Sequence, residues 1–272
     1  MPATFDPGYD RQPFQDLVDQ APDSATYPFA SFRFEWGPVF HRGRLDGSAR
    51  VLGIGQDPAQ HETIARRILI GTAGHRVQGF LSKLGFDRSY VLVNTFLYSV
   101  YGQQGGNQHI NDPGLTAYRN RWLAAIVGTG TIEAVVSFGG LADAAWNKFV
   151  AGPGGGAAGN IPYQHVPHPT SADGHGGTAA EIAAAKKALL VKWNAAVQAL
   201  RPLIQHPDHN APWVPYGEDF APADLMPIPR FDLPAGMPGW MCGNDGWANR
   251  VGATPGDKRK TITVQVPQGV IP

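Results

Sequence analysis

Val51-Leu-Gly-Ile-Gly-Gln-Asp-Pro-Ala-Gln60 is the stretch that decides the fold. Five apolar or glycine residues suit a buried strand, and the polar turn behind them carries one carboxylate, Asp57. Two further segments repeat the arrangement: Tyr90-Val-Leu-Val-Asn-Thr95 ends its strand on Asn94, and Ile161-Pro-Tyr-Gln-His-Val-Pro-His-Pro-Thr170 ends on His168. In an open parallel sheet the carboxyl ends of the strands lie along one edge, where ligands bind. An acid, an amide and an imidazole are therefore expected to share one crevice.

Outward from these segments the chain alternates strands with helical pattern, as βαβ units do. β-branched and apolar runs predict strands at 50–54, 90–94, 132–138 and 161–166. Helices are predicted near 73–84, 114–127, 141–150 and 178–200, the last opened by Thr178 as a cap with Glu181 three residues on. A lead of about 45 residues, with a short helix near 12–19, comes first. The expected architecture is a three-layer α/β/α sandwich with a short, about four-stranded, parallel sheet. Ala151-Gly-Pro-Gly-Gly-Gly-Ala-Ala-Gly159 reads as a flexible surface loop, because so much glycine opposes regular structure. Beyond Arg201 the composition turns to Pro, Trp, Gly and Asp without a period. The expected division is thus an α/β/α domain over 1–201 and an irregular extension over 202–272 that packs on it.

Composition narrows the function classes. The chain has 272 residues, 43% of them apolar, and no apolar run approaches the roughly 20 residues needed to span a bilayer. The N-terminal Met-Pro-Ala-Thr-Phe-Asp-Pro lacks the basic and then apolar profile of a secretion signal, so the expected compartment is the cytoplasm. The lone Cys242 excludes an internal disulfide and any four-cysteine zinc or iron-sulfur site within one chain. Twenty-two basic and 22 acidic residues cancel, which counts against coating nucleic acid through charge alone. Locally, Arg42, Arg44 and Arg50 precede the Asp57 turn, Arg66, Arg67, Arg76 and Lys83 follow it, and Lys258-Arg-Lys260 lies near the end. An ordinary solvated surface and a phosphate-binding rim both remain open for them.

Several motifs fall away. Gly53-Ile-Gly55 lacks the third glycine of a dinucleotide fingerprint, and Pro58 stands where the turn should run into a helix, which excludes NAD or FAD. His165, His168 and His175 have no carboxylate or cysteine at a ligand spacing, so a structural or solvent-facing role is expected for His165 and His175, and no metal. No Gly-x-Ser-x-Gly elbow or Gly-Lys-Ser phosphate loop occurs. Asp57, Asn94 and His168 remain. Singly, each could be a helix cap, a loop contact or a carbonyl partner.

At these residues the chain resembles the uracil-DNA glycosylase superfamily. Gly55-Gln-Asp-Pro58 resembles its water-activating motif, Val91-Leu-Val-Asn-Thr95 its pyrimidine-reading strand, and His168-Pro-Thr-Ser171 its His-Pro-Ser motif. Arg67-Ile-Leu-Ile-Gly-Thr-Ala-Gly74 is similar to the Arg-Pro-Phe-Val-Gly-x-Ala-Gly stretch of the bacterial and archaeal iron-sulfur branches. The resemblance implies a monomeric enzyme that flips uracil from single- or double-stranded DNA, hydrolyses its N-glycosidic bond and releases free uracil, without cofactor or metal. It implies that Asp57 orients water and offsets developing positive charge on the sugar. His168, with the backbone of Gln56, then donates to O2 of the departing base, and Asn94 reads the O4 and N3–H edge. Ala59 and Leu69 fall at base-contacting positions. Gly55, Pro58, Pro169, Thr170 and Ser171 fall at DNA-contacting ones.

The chain also departs from that pattern. Ala59 stands where the best-known branch excludes the thymine methyl with a tyrosine, and Leu69 where related branches set a phenylalanine against the base, leaving Phe80 or Phe96 as candidates for stacking. Ala172-Asp-Gly174 offers no leucine wedge, which leaves another loop to open the duplex or single strands as the preferred form. The cluster-binding cysteines are missing, so no iron-sulfur cluster is expected, and no basic insert with a cross-linking histidine follows Gly74. Two other readings stand beside this one. The first is a non-catalytic single-stranded DNA-binding module in which Trp213, Trp240 and Trp247 stack on bases, rather than pinning the extension to the core. The second is a hydrolase of free nucleosides.

Overall fold

The structure is a computed structural model that describes residues 5–102, 105–174, 176–243 and 246–271; His175 lies outside them. The runs read as strands form β2 (Val51–Gly55), β3 (Tyr90–Asn94), β4 (Ala134–Phe138) and β5 (Tyr163–Val166). The helical runs form α1 (Phe14–Asp19), α3 (Thr72–Leu84), α4 (Pro113–Val127), α5 (Gly140–Ala151) and α6 (Ala179–Leu200). Thr178 caps α6 as its sequence implies: its hydroxyl accepts from the Glu181 amide at 3.3 Å, and the Glu181 carboxylate accepts from the Thr178 amide at 2.6 Å.

The sheet has five strands rather than about four, in the order β1-β3-β2-β4-β5. β2 pairs in parallel with β3 and β4, β4 pairs in parallel with β5, and the additional strand β1 (His41–Gly43) runs antiparallel along β3. Two polar residues among the three of β1 hide it from an apolar count. They are buried because each has a charged neighbour: His41 Nε2 lies 3.4 Å from Asp6, and Arg42 lies 3.2 Å from Asp232. A short α2 (Gln60–Ala65) also follows the Asp57 turn.

Alternation along the strands divides the core. Leu52, Ile54, Val91, Val93 and Val135 face α1, α4 and α5, whereas Val51, Tyr90, Leu92, Val136 and Phe138 face α3 and α6. Helices thus cover both sides of a mostly parallel sheet, an α/β arrangement consistent with three layers. The chain passes from β2 to β3 on one side of it and then crosses to β4 on the other, so the reversal in strand order falls at the carboxyl end of β2. No described helix is long and apolar enough to cross a membrane.

Two expectations need correction. The glycine-rich stretch holds some regular structure where none is expected: α5 runs into it as far as Ala151, and Ala157–Asn160 forms a 3-10 turn that buries Ala158. The basic residues around the Asp57 turn are mostly neither a solvated surface nor a phosphate rim, because protein acceptors take them. Arg42 and Arg44 pair with Asp232, Arg67 with Asp6, Arg76 with Asp173 and Lys83 with Asp224, while Arg66 donates to the carbonyls of Trp36 and Pro38. Arg50 reaches only the Thr131 carbonyl, at 3.4 Å.

The segment after α6 has little regular structure but many fastenings. Asp232 is fully buried and accepts from Tyr90 Oη at 2.5 Å and from Arg44 at 2.5 Å. Asp208 accepts the three successive amides of Asp87, Arg88 and Ser89, fixing the turn into β3. Trp247 is buried and meets Trp240 edge-on at 5.9 Å, so it holds the segment down rather than offering a ring to solvent. Trp213 is half-buried against the α3–α6 side of the core. Removing one member of a buried charge network leaves its partners uncompensated. Asp232→Ala should therefore lower the unfolding free energy in urea by about 3–5 kcal/mol; a loss below about 1 kcal/mol would mean that Arg42 and Arg44 are not held by this carboxylate.

Candidate active site

The ends of β2 and β3 are zipped beyond their last strand residues. The amide and the hydroxyl of Thr95 both donate to the Gly55 carbonyl at 2.9 Å, and the Phe96 amide donates to the Gln56 carbonyl at 2.9 Å. In register, Gly55 lies opposite Asn94. A Cβ at position 55 would come within 2.4 Å of Asn94 Oδ1, and one at position 53 within 2.4 Å of Leu92 Cδ2. The Gly-x-Gly of this strand therefore makes room for neighbouring side chains rather than for a phosphate. Asn94 is 8% exposed, and its Oδ1 is buried without a hydrogen-bond partner among the described residues. An unpaired buried acceptor costs about 1–3 kcal/mol, which a ligand N–H placed there would recover.

Asp57 follows in the turn after β2. Its Oδ2 accepts the Val100 amide at 2.9 Å, so the loop after β3 holds it. Burial pushes this carboxyl up to about 6, against the lowering effect of the Val100 and Gln56 hydrogen bonds; the negative charge of Glu62 adds to the rise and Arg33 opposes it. His168 follows β5, and its Cβ would lie 3.1 Å from a Cβ at Gly139, the residue between β4 and α5, which has a φ of +102°. Only glycine adopts that backbone readily while leaving the ring its place. The Thr170 amide donates to His168 Nδ1 at 3.3 Å, and the Thr170 hydroxyl lies 3.2 Å from the same atom. A nitrogen that accepts an amide proton carries none of its own, so the neutral ring is protonated on Nε2. Burial, reinforced by the Arg76 charge and opposed by Asp173, pulls this imidazole down to about 4. It is thus a neutral Nε2–H donor throughout the physiological range.

Leu69 reaches the same floor: its Cδ1 would lie 3.7 Å from a Cβ at Gly55. Its φ of +54° is unusual for a branched aliphatic residue, and the approach of its carbonyl to Gly74, where a Cβ would sit 1.7 Å away, requires a glycine there. Pro58 and Pro169 are buried, Ala59 is exposed and Gln56 is intermediate. The Ser171 hydroxyl donates to the His168 carbonyl at 2.9 Å, so Thr170 and Ser171 both act on the histidine here. Of the two aromatic candidates, Phe80 is fully buried, locked between Phe138 and Trp193 in the core. Phe96 is buried against Phe32, at the loop where its amide bonds to Gln56.

Two positioning residues carry no signal in a linear reading. The buried Glu62 carboxylate accepts the amides of Ala59 at 3.0 Å and Ile70 at 3.0 Å, tying the Asp57 turn to the Leu69 loop. Its spacing from Ala59 is that of a capping box, but an alanine cap hides the pattern. Arg76 of α3 donates to the Pro169 carbonyl at 2.7 Å and to Asp173 at 2.6 Å, fixing the loop that carries His168. The exposed His165 lies 3.9 Å from Asp143. No group of three or more described His, Cys, Asp or Glu residues could hold a metal ion.

The chain matches no family model and no curated protein. The chemistry of the site is accordingly read from its own geometry: a carboxylate that titrates near neutrality and an amide with an open acceptor at the adjoining carboxyl ends of β2 and β3 or just beyond them, and a neutral imidazole donor just beyond β5, one strand further along the same edge past β4. A carboxyl raised in the folded state binds its proton more tightly there than in the unfolded chain, so the stability it contributes below about pH 4 is lost as pH rises through about 6. Asp57→Asn should consequently raise the unfolding free energy at pH 7 by about 1–3 kcal/mol relative to the parent chain, and by much less at pH 4. Equal changes at the two pH values would contradict the raised carboxyl.

Proposed function

We propose that the chain is a monomeric, metal-independent DNA glycosylase of the uracil-DNA glycosylase type, on a three-layer α/β/α fold, that takes uracil from DNA at the start of base-excision repair. The observation that carries this reading is the buried Oδ1 of Asn94, unpartnered among the described residues and beside Gly55 at the end of β2. An extruded uracil supplies what that atom lacks: its N3–H donates to Oδ1, while its O4 accepts from Nδ2. Cytosine offers the reverse pattern and leaves buried polar groups unpaired, a mismatch that can discriminate by about 10,000-fold.

Cleavage of the glycosidic bond builds positive charge on the sugar and negative charge on the base. Ionised Asp57 offsets the first and accepts a hydrogen bond from the water that attacks C1′. His168 Nε2–H donates to uracil O2 and stabilises the second. Because burial keeps this ring neutral, it acts as a dipolar donor and not as an acid; loss of such a donor costs about 100- to 1000-fold in rate. Leu69 supplies apolar contact without aromatic stacking. The exposed methyl of Ala59 puts no bulk against C5, so discrimination against thymine is expected to be weak.

Base release from a uracil-containing oligonucleotide should fall at least tenfold, about 1.4 kcal/mol of barrier, in both Asp57→Asn and His168→Ala. If neither variant is slowed that much, the reading fails. With Asp57 active as the carboxylate, kcat/KM should drop about tenfold per unit as pH falls below about 6. His168 adds no further loss until about pH 4. Asp57→Asn should abolish the limb near pH 6, and a parent profile flat between pH 4 and 7 would remove Asp57 from its role.

A further inference from the structure

The last part of the chain is anchored at two points that flank Asp57. On one side, just beyond the turn, Gln60 Nε2 donates to the Ala248 carbonyl at 3.4 Å, the Ala248 amide donates to His61 Nε2 at 3.3 Å, and the His61 ring meets Trp247 edge-on at 4.8 Å. On the other side the Arg259 guanidinium lies 3.7 Å from the centre of the Tyr101 ring and donates to the Phe29 carbonyl at 2.7 Å. Tyr101 directly follows Val100, whose amide holds the Asp57 carboxylate. Arg33 lies 4.5 Å from that same ring and 4.9 Å from Trp36. A ladder of rings and guanidinium groups thus leads from beside Asp57 to the surface.

Between the two anchors the chain folds into a small unit: β6 (Ala248–Asn249), α7 (Pro255–Lys260) and β7 (Thr263–Val264), with β6 and β7 antiparallel. Arg250, Lys258 and Lys260 are exposed on it. Unlike Arg42, Arg44, Arg67 and Arg76, none of the three has a carboxylate partner among the described residues. The acidic groups nearby are engaged: Asp257 accepts from Thr254 at 2.7 Å, and Glu35 accepts from Tyr101 Oη at 2.8 Å. Phe29, 51% exposed, lies alongside, edge-on to Phe34 at 5.2 Å. Open cations beside an exposed ring, here Phe29, are what a nucleic-acid single strand recognises, through its phosphates and through base stacking, while the guanidinium-covered Tyr101 anchors the surface.

We propose that the unit over 246–266, together with Phe29 and Tyr101, is a docking surface for a single-stranded stretch of DNA that flanks the base held at Asp57. The inference rests on the glycosylase reading for the nature of the polymer and adds which face takes its backbone. A duplex would present its phosphates but not the faces of its stacked bases to the Phe29 ring, so an unpaired strand fits the surface better.

The test is fluorescence anisotropy with a uracil-free single-stranded oligonucleotide over a range of salt concentrations. Arg250→Ala, Lys258→Ala and Lys260→Ala together should weaken binding at least tenfold at low salt and reduce the slope of log K against log salt by about 2, since each single-strand phosphate contact contributes about 0.7. Phe29→Ala should weaken binding with the slope unchanged, because stacking releases no counterions. Melting temperatures equal to the parent's exclude misfolding as the cause. Unchanged affinity and slope in the triple variant, tighter binding of the parent chain to a fully paired duplex, or equal competition by polyglutamate would each overturn the proposal. No base leaves this oligonucleotide, so the result is independent of catalysis. Binding lost in the triple variant, from a parent chain that releases no uracil, would uphold the surface while removing the glycosylase reading.

Discussion

The missing side chain at position 55 is what the rest of the site depends on. Gly55 stands opposite Asn94 in the parallel pairing of β2 with β3, and the Asn94 amide oxygen takes the space a Cβ would need. Leu69 closes over the same spot from the loop before α3. An alanine at 55 would push the amide aside and carry the Leu69 contact with it. The strand thus spends conformational freedom, which glycine loses most on folding, to bring a polar acceptor to a buried place where no donor among the described residues meets it.

Around that floor, buried charged side chains act mainly as fasteners. Glu62 ties the Asp57 turn to the Leu69 loop, Arg76 ties the His168 loop to α3, and Asp232 ties the last part of the chain to β1 and β3. Buried pairs of this kind contribute little net stability compared with apolar packing, yet breaking one is costly. Their effect is therefore on geometry: they leave each loop one position. A chain with zero net charge uses most of its arginines near the Asp57 turn in this way, which makes the uncommitted cations of the 246–266 unit stand out against them.

Burial acts in opposite directions on the two titratable groups of the site. Removal from water disfavours the charged form of each, raising the Asp57 carboxyl and lowering the His168 imidazole. Near neutral pH the outcome is a carboxylate with a neutral hydrogen-bond donor. The pair suits a reaction in which charge develops on a sugar and a leaving base, each stabilised by a fixed group, with little proton transfer from the protein itself.

The sequence alone determined the four parallel strands, the long helices and the cap of α6, because apolar period and capping chemistry are local and repeat within a few residues. It also set Asp57, Asn94 and His168 at or just past strand ends, since the order of elements fixes which ends share an edge. Only the tertiary structure decided the antiparallel β1, the fate of the arginines, and the positioning work of Glu62 and Arg76. Arg42 and Asp232 are 190 positions apart, and a polar residue is buried or solvated according to a partner that no local pattern names. The glycine-rich stretch after α5 forms its 3-10 turn for a related reason: the backbone entropy it gives up is offset by packing Ala158 into a core built from distant parts of the chain.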